Sequence, residues 1–203
     1  MKKTNLPSVC LIFSSAEIGE KLEIALKAGI RWVQFREKNL SRREILQHSY
    51  RIRDITLKYN SLLTINDYLD IAIAVEADGV HLGQDDLPID VAKKIFLGII
   101  GVSTHNLEEA IKAEEMGAHY IGYGPIFGTK TKKNALEPRG VEEFALIRQK
   151  IKIPVLAIGG IKKDSLVGLI EKNCQYVAVS SGILDGDIAK NVEAFLKSFT
   201  NYL

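Results

Sequence analysis

The chain has 203 residues, of which 46% are hydrophobic and 26% charged, proportions typical of a folded globular protein and not of a disordered one. The formal net charge is only +2, which argues against a general nucleic-acid binder. Cys10 and Cys174 lie far apart in apolar runs, and no run approaches the ~20 apolar residues that span a membrane, so the sequence predicts buried thiols in a cytoplasmic protein.

Eight short apolar runs recur along the chain, and a helix-like stretch follows each of them. The runs are Val9–Phe13, Trp32–Arg36, Leu62–Ile65, Val80–Leu82, Ile99–Val102, Tyr120–Tyr123, Val155–Ile158 and Tyr176–Ser180. Nearly continuous apolar strands are typical of parallel sheets, which are buried on both faces. The pattern therefore predicts an α/β protein whose residues 1–203 form a single (β/α)₈ TIM barrel domain, with a doubly wound open sheet as the alternative.

Between the runs, apolar residues recur at helical spacing. The clearest predicted helices are Arg42–Tyr59, Pro88–Phe96, Asn106–Met116, Val141–Lys150 and Lys163–Lys172. A glycine or asparagine stands shortly before four of the strands, where it predicts the end of the preceding helix: Gly29, Gly79, Gly117 and Asn173.

Active sites of this barrel lie at the carboxyl ends of the strands, so the residues there are the candidates for function. After the second strand, alternation places Gln34, Arg36 and Lys38 on one face, where an amide and two cations suit an anion. The alternative is a salt-bridged strand end in which Glu37 neutralises a neighbour.

An asparagine and an aspartate, Asn66-Asp67, follow the third strand, and two aspartates, Asp85-Asp86, follow the fourth. They could simply cap the next helices. Alternatively, because neighbouring barrel strands lie about 5 Å apart, Asp67 and one aspartate of the second pair could share a cation. Oxygen ligands favour Mg²⁺, which typically completes its shell with phosphate oxygens, so a substrate carrying diphosphate would account for both the acids and the bases.

The last three strand ends are rich in glycine, hydroxyl and lysine. The longest loop, 122–134, carries Thr129, Thr131 and Lys132 and predicts a binding or lid segment, with a flexible solvated loop as the alternative. Gly159-Gly160 and Ser180-Ser181 predict a monophosphate site on loops seven and eight, although a tight turn would also explain the two glycines.

Two histidines near strand ends, His81 and His105, receive no role in proton transfer. His81 is expected to line the pocket, and His105 to be structural. No catalytic triad, nucleophilic cysteine or dinucleotide fingerprint is evident in the sequence. Two anion sites in one barrel mouth predict group transfer: diphosphate leaves one substrate, and the other, a monophosphate, attacks.

The chain resembles the thiamine-phosphate synthase family in the type, order and spacing of six segments. These are Gln34–Lys38, Ile65–Asp67, Asp78–Asp86, Gly101–Ser103, Gly124–Lys132 and Ala157–Gly160. The resemblance implies a (β/α)₈ enzyme that joins hydroxymethylpyrimidine diphosphate to thiazole phosphate, or its carboxylate, and releases diphosphate first. One departure concerns the first strand end, where Ser14-Ser15 replace the family's usual Thr-Asp.

The resemblance also implies roles for individual residues. Mg²⁺ would lie on Asp67 and Asp86. The diphosphate would bind Gln34, Arg36, Lys38, Asn66, Ser103 and Lys132, of which Arg36, Lys38, Ser103 and Lys132 would act in catalysis. The thiazole phosphate would bind Thr129, Thr131, Gly160, Ser180 and Ser181.

Two other functions compete with this one. Thiazole tautomerases are a sister family that needs no metal, typically lacks the paired aspartates and carries a histidine where this chain has Pro125. A non-catalytic barrel that binds thiazole phosphate would keep loops seven and eight without needing Lys38, Asp67 and Asp86 together. The partners expected in every case are small molecules, and a homo-oligomer is compatible with the sequence.

Overall fold

The computed structural model describes residues 6–128 and 137–200, and within these ranges eight strands form one closed parallel barrel. The strands are β1 (Val9–Phe13), β2 (Trp32–Phe35), β3 (Leu62–Asn66), β4 (Gly79–Leu82), β5 (Ile99–Thr104), β6 (Tyr120–Tyr123), β7 (Val155–Ile158) and β8 (Tyr176–Val179). Each strand pairs with the next, and Val9 of β1 lies beside Val177 of β8. The predicted (β/α)₈ barrel is therefore confirmed and the open sheet is wrong.

Helices alternate with the strands around the outside of the barrel. In the described ranges they are α1 (Glu20–Lys27), α2 (Arg42–Lys58), α3 (Leu69–Ala74), α4 (Ile89–Ile95), α5 (Leu107–Glu115), α6 (Gly140–Lys150), α7 (Lys163–Ile170), α8 (Ser181–Leu184) and α9 (Ile188–Thr200). A short 3₁₀ turn, Ser15–Glu17, follows β1. Among these helices, none is both long enough and apolar enough to cross a membrane.

Two layers of apolar side chains hold the barrel. The larger layer lies between the strands and the helices, and a smaller cluster that includes Cys10, Trp32 and Tyr120 fills the barrel interior. The rings of Trp32 and Tyr120 meet edge to face with their centroids 5.0 Å apart. Because both residues begin their strands, they close the amino-terminal half of the interior and leave a cavity at the carboxyl end.

Three of the four predicted helix ends have the left-handed backbone that glycine or asparagine accommodates: Gly29 (φ 118°), Gly117 (φ 84°) and Asn173 (φ 61°). The prediction for Gly79 is wrong, because Glu76 takes the left-handed position after α3 (φ 51°). Gly79 instead begins β4, where a Cβ would lie 2.9 Å from the Ile99 carbonyl oxygen. Close approach of two strands explains this glycine.

Candidate active site

A cavity of about 410 Å³ opens at the carboxyl ends of the strands and collects side chains from nearly every strand end. The predicted site residues that line it are Gln34, Arg36, Lys38, Asn66, Asp67, Asp86, Ser103, Gly160, Ser180 and Ser181. Thr129, Thr131 and Lys132 lie outside the described residues. Residues from strands two to five and from loops seven and eight therefore share one cavity.

The end of β2 points its alternating side chains into this cavity. The strand ends at Phe35, one residue earlier than predicted, but the Arg36 amide still donates to the Phe13 carbonyl at 2.9 Å. The pleat thus continues far enough to direct both Arg36 and Lys38 to the cavity. Within the described part of the chain, no carboxylate forms an ion pair with Arg36, whereas Lys38 pairs with Asp67.

The alternative in which Glu37 neutralises a neighbouring cation is wrong. The Glu37 side chain is 7% exposed and accepts hydrogen bonds from neutral donors. The Ser15 hydroxyl donates at 2.5 Å, and the amides of Ser15, Lys38 and Asn39 donate at 3.2, 2.8 and 3.1 Å. Burial raises the pKa of Glu37, but these hydrogen bonds outweigh it and hold the pKa below its ordinary value. Glu37 therefore joins the loops after β1 and β2.

Glu37→Gln is expected to lower the free energy of unfolding by about 1–2 kcal/mol at neutral pH, because the amide group cannot accept all these bonds. Since the folded-state pKa of Glu37 is lowered, its stabilisation is present above the ordinary glutamate pKa of about 4.3 and is lost as the pH falls. The difference between wild type and variant should accordingly shrink in acid. Urea unfolding across this pH range measures it, with exposed Glu20→Gln as the control; a constant difference contradicts the prediction.

Asp67 and Asp86 bring two carboxylates together at the ends of β3 and β4. The capping alternative is wrong for Asp67, because Tyr68 precedes α3 without a side-chain cap. Asp67 instead has a left-handed backbone (φ 66°), and its amide donates to the His81 carbonyl at 2.8 Å. Asp86 does not cap α4 either: its carboxylate accepts from the Gly83 amide at 2.6 Å.

The Asp67 carboxylate lies close enough to Asp86 to affect the protonation of Asp86. Burial raises the pKa of Asp86, the hydrogen-bonded Asp67 carboxyl and its charge raise it further, and the Gly83 amide and Lys38 oppose these effects. Asp85, the other candidate for this position, is exposed. The structure therefore pairs Asp86, and not Asp85, with Asp67.

The charges of the cavity suit a divalent cation. Its described lining carries three carboxylates, from Asp67, Asp85 and Asp86, against two cations, from Arg36 and Lys38. A diphosphate brought into this lining would meet net negative charge unless a cation accompanied it. No cluster of three or more His, Cys, Asp or Glu side chains able to hold a metal occurs in residues 6–128 and 137–200. Mg²⁺ fits such a site, since it is commonly bound by one or two carboxylates together with substrate phosphates and water.

The two histidines differ in their surroundings. His81 is buried and its Nε2 lies 2.9 Å from the Ser103 hydroxyl. Burial lowers the pKa of His81 to about 4, with Asp86 raising it and Arg36 lowering it to a smaller extent. His105 also lines the cavity, and its Nδ1 lies 3.0 Å from the Glu109 carboxylate on α5. Its structural role stays a prediction.

Loops six, seven and eight are packed closely together. The amides of Ile126 and Phe127 donate to the carbonyls of Ile158 and Gly159 at 2.8 and 3.0 Å. Gly159 and Gly160 both have left-handed backbone (φ 98° and 64°), so a tight turn is part of their role. Close approach is the other part: a Cβ on Gly160 would lie 2.4 Å from the carbonyl oxygen of Gly128. A Cβ on Gly182 would meet the Ile161 carbonyl oxygen at the same distance.

Three residues of the site, Gln84, Ile12 and Ile158, were not predicted from the sequence. Gln84 donates to the Ser103 carbonyl at 2.6 Å, although its place among the acids after β4 marked it as a strand-end residue. Ile12 and Ile158 line the cavity as apolar walls. No sequence signal distinguishes these isoleucines from others in strands, because only closure of the barrel decides which side chains point inward.

The chain is similar to known proteins in both sequence and fold. A family model described as thiamine monophosphate synthase matches residues 9–183. The chain is 45% identical over 168 residues to a thiamine-phosphate synthase of Archaeoglobus fulgidus, covering 83% of this chain and 80% of that protein. It is 46% identical over 173 residues to one of Clostridium novyi, covering 84% of both. The solved thiamine phosphate pyrophosphorylase of Pyrococcus furiosus superposes with a TM-score of 0.86 at 35% identity, over 97% of this chain and 96% of that one.

Proposed function

Because the chain belongs to the thiamine monophosphate synthase family and is an enzyme of thiamine biosynthesis, we propose that it condenses hydroxymethylpyrimidine diphosphate with thiazole phosphate, or its carboxylate, to thiamine phosphate and diphosphate. One observation carries the proposal beyond family membership. A carboxylate pair with two cations and a set of glycine- and serine-rich loops line the same cavity. One substrate anion binds each group, so the two substrates lie side by side.

The diphosphate binds at the ends of β2 to β5. Arg36 is the main anion ligand there, since its guanidinium has no ion-pair partner among the described residues and faces the cavity. Lys38, Gln34, Asn66 and Ser103 complete this end of the cavity. Lys38 pairs with Asp67, so it exchanges that partner for phosphate oxygens as the substrate binds.

The thiazole phosphate binds at Gly160, Ser180 and Ser181. Their small side chains let backbone amides and hydroxyls approach a phosphate, and close packing of loops six, seven and eight keeps these groups in place. Thr129, Thr131 and Lys132 are assigned to the same cavity on the resemblance alone.

Asp67 and Asp86 would hold Mg²⁺, which would neutralise charge on the departing diphosphate. The protein's residues position the substrates and stabilise charge, while the bond to diphosphate breaks first and the thiazole nitrogen then captures the pyrimidine cation. The buried thiols do not compete as nucleophiles, because burial raises the pKa of Cys10 well above its ordinary value and that of Cys174 to about 12. Neutral His81 is engaged with Ser103.

Purified protein mixed with both substrates, with and without Mg²⁺, tests this function. We expect thiamine phosphate and diphosphate to form only when the metal is present. Isomerisation of the thiazole carboxylate phosphate alone, without metal, would instead identify a tautomerase. Binding of thiazole phosphate without turnover would identify a binding protein.

Single substitutions of Asp86 and Asp85 test which of the two aspartates contributes to the metal site. In EDTA, Asp86→Asn is expected to raise the melting temperature by about 1–2 °C, because it removes repulsion from Asp67. The same variant should weaken Mg²⁺-dependent diphosphate binding. Asp85→Asn is the matched control and should change neither property by a comparable amount. Equal losses of binding in both variants would show that the metal does not depend on the Asp67–Asp86 pair.

A further inference from the structure

A chain of buried polar side chains runs through the barrel interior to the cavity. The Trp32 indole donates to the Thr64 hydroxyl at 2.9 Å. Tyr120 lies beside Trp32, and its hydroxyl is 3.0 Å from His81 Nδ1. His81 Nε2 is in turn 2.9 Å from the Ser103 hydroxyl, at the cavity wall. Polar side chains buried in a barrel core are costly unless they are hydrogen bonded, so the direction of each bond matters.

The Tyr120 phenol sets the direction of the hydrogen bonds toward the cavity. At the other end of the network the Trp32 indole N–H can only donate, so the Thr64 hydroxyl accepts from it. Burial raises the pKa of the Tyr120 phenol well above its ordinary value, so the phenol keeps its proton. Among the described residues, the hydrogen-bond partner of the phenol oxygen is His81 Nδ1, and a phenol that accepted there would leave its own buried proton without an acceptor; the phenol therefore donates to Nδ1.

The hydrogen bond from Tyr120 determines which ring nitrogen of His81 carries a proton. It is 4% exposed, and its two ring nitrogens contact hydroxyl groups and no carboxylate, so the ring is neutral and carries one proton. A proton received at Nδ1 from Tyr120 leaves the ring's own proton at Nε2, where it is donated to the Ser103 oxygen. The Ser103 proton is then free to point into the cavity.

We propose that Tyr120 holds His81 in the Nε2–H form, and that His81 thereby fixes Ser103 as a hydrogen-bond donor to an anion in the cavity. His81 is a positioning residue, since it acts through Ser103. The opposite direction would make Ser103 donate to His81 and present only lone pairs to the anion, which repels it. The identification of this anion as the diphosphate rests on the proposed function. The direction of the hydrogen bonds is independent of that function.

Nuclear magnetic resonance of protein labelled with ¹⁵N in histidine reads the His81 tautomer directly, and binding of inorganic diphosphate with Mg²⁺ reads its consequence. In the wild type at neutral pH we expect a proton on Nε2 and none on Nδ1. Tyr120→Phe keeps the ring but removes the donor, so it should shift the tautomer balance and weaken diphosphate binding about tenfold. Tyr123→Phe is the matched control, because Tyr123 donates to Glu143, away from the network.

A proton on Nδ1 in the wild type would overturn the proposal, whether or not Tyr120→Phe folds. Unchanged diphosphate affinity in a folded Tyr120→Phe protein would also overturn it. His81→Gln retains an amide donor for Ser103 and should bind diphosphate more tightly than His81→Leu; equal affinities would contradict the role of Nε2–H. None of these measurements uses turnover. A protein that binds no diphosphate refutes the anion assignment, and one that binds it without condensing the substrates refutes the proposed function alone.

Discussion

Asp67→Asn is expected to lower kcat at least about 100-fold while thiazole phosphate binds with its normal affinity. The variant removes one of the two carboxylates that would hold Mg²⁺ and also breaks the ion pair with Lys38. Asparagine suits this test better than alanine, because the left-handed backbone of Asp67 (φ 66°) is well tolerated by asparagine. Steady-state rates over a range of Mg²⁺ concentrations measure the effect.

Asp70→Asn is the control for this variant. Asp70 lies three positions further along the chain, is exposed, pairs with Arg42 and is not among the residues lining the cavity. Its exchange should leave kcat within about twofold, as expected for a surface ion pair. Wild-type kcat in Asp67→Asn at every Mg²⁺ concentration would refute the metal assignment. Loss of thiazole phosphate binding in that variant would show that the two anion sites are not separate.

Gly160→Ala is expected to have the opposite effect, weakening thiazole phosphate binding tenfold or more while leaving Mg²⁺-dependent diphosphate binding close to normal. The added Cβ would lie 2.4 Å from the Gly128 carbonyl oxygen and 2.9 Å from the Phe127 Cβ. Residue 160 also has a left-handed backbone (φ 64°), which costs alanine about 1–2 kcal/mol. Loops six and seven must therefore separate, and the phosphate loses the geometry they provide. Calorimetric titration with thiazole phosphate and thermal melting measure both effects.

Gly168→Ala makes the same chemical change at a position where it should be harmless. A Cβ there would meet no atom within 4 Å, and the residue lies inside α7. Since alanine favours a helix over glycine by about 1 kcal/mol, this control should melt at the same or a slightly higher temperature. If Gly160→Ala bound thiazole phosphate as tightly as Gly168→Ala does, the phosphate site would lie elsewhere.

Much of the fold was predictable because a parallel barrel leaves a strong signal in the sequence. The runs Val9–Phe13, Tyr120–Tyr123 and Val155–Ile158 have the bounds that the structure gives β1, β6 and β7. Strands buried on both faces are nearly continuously apolar, so their position needs no tertiary information. Helix α9 was not among the predicted helices, although Ile188, Val192, Phe195 and Phe199 show helical spacing and are buried.

The residue types of the candidate site were predictable from the sequence, but the hydrogen-bond partners of these residues were less so. Polar residues at strand ends are unusual enough to identify, and the structure places every described residue that was predicted to bind substrate or metal in one cavity. The partner of Glu37 was predicted wrongly, because Ser15 lies 22 residues earlier in the chain. The link from Tyr120 to His81 spans 39 residues and leaves no local pattern.

Eight βα units with charged and glycine-rich strand ends can be read from the sequence, because local periodicity and residue chemistry encode both features. The pairing of side chains becomes visible only in the folded barrel: Asp86 lies with Asp67, Glu37 with Ser15, and Ser103 with His81. The reason is geometric. Barrel closure brings distant strand ends within hydrogen-bonding distance, and the hydrogen bonds and charges that distinguish one aspartate or serine from the next exist only after that closure.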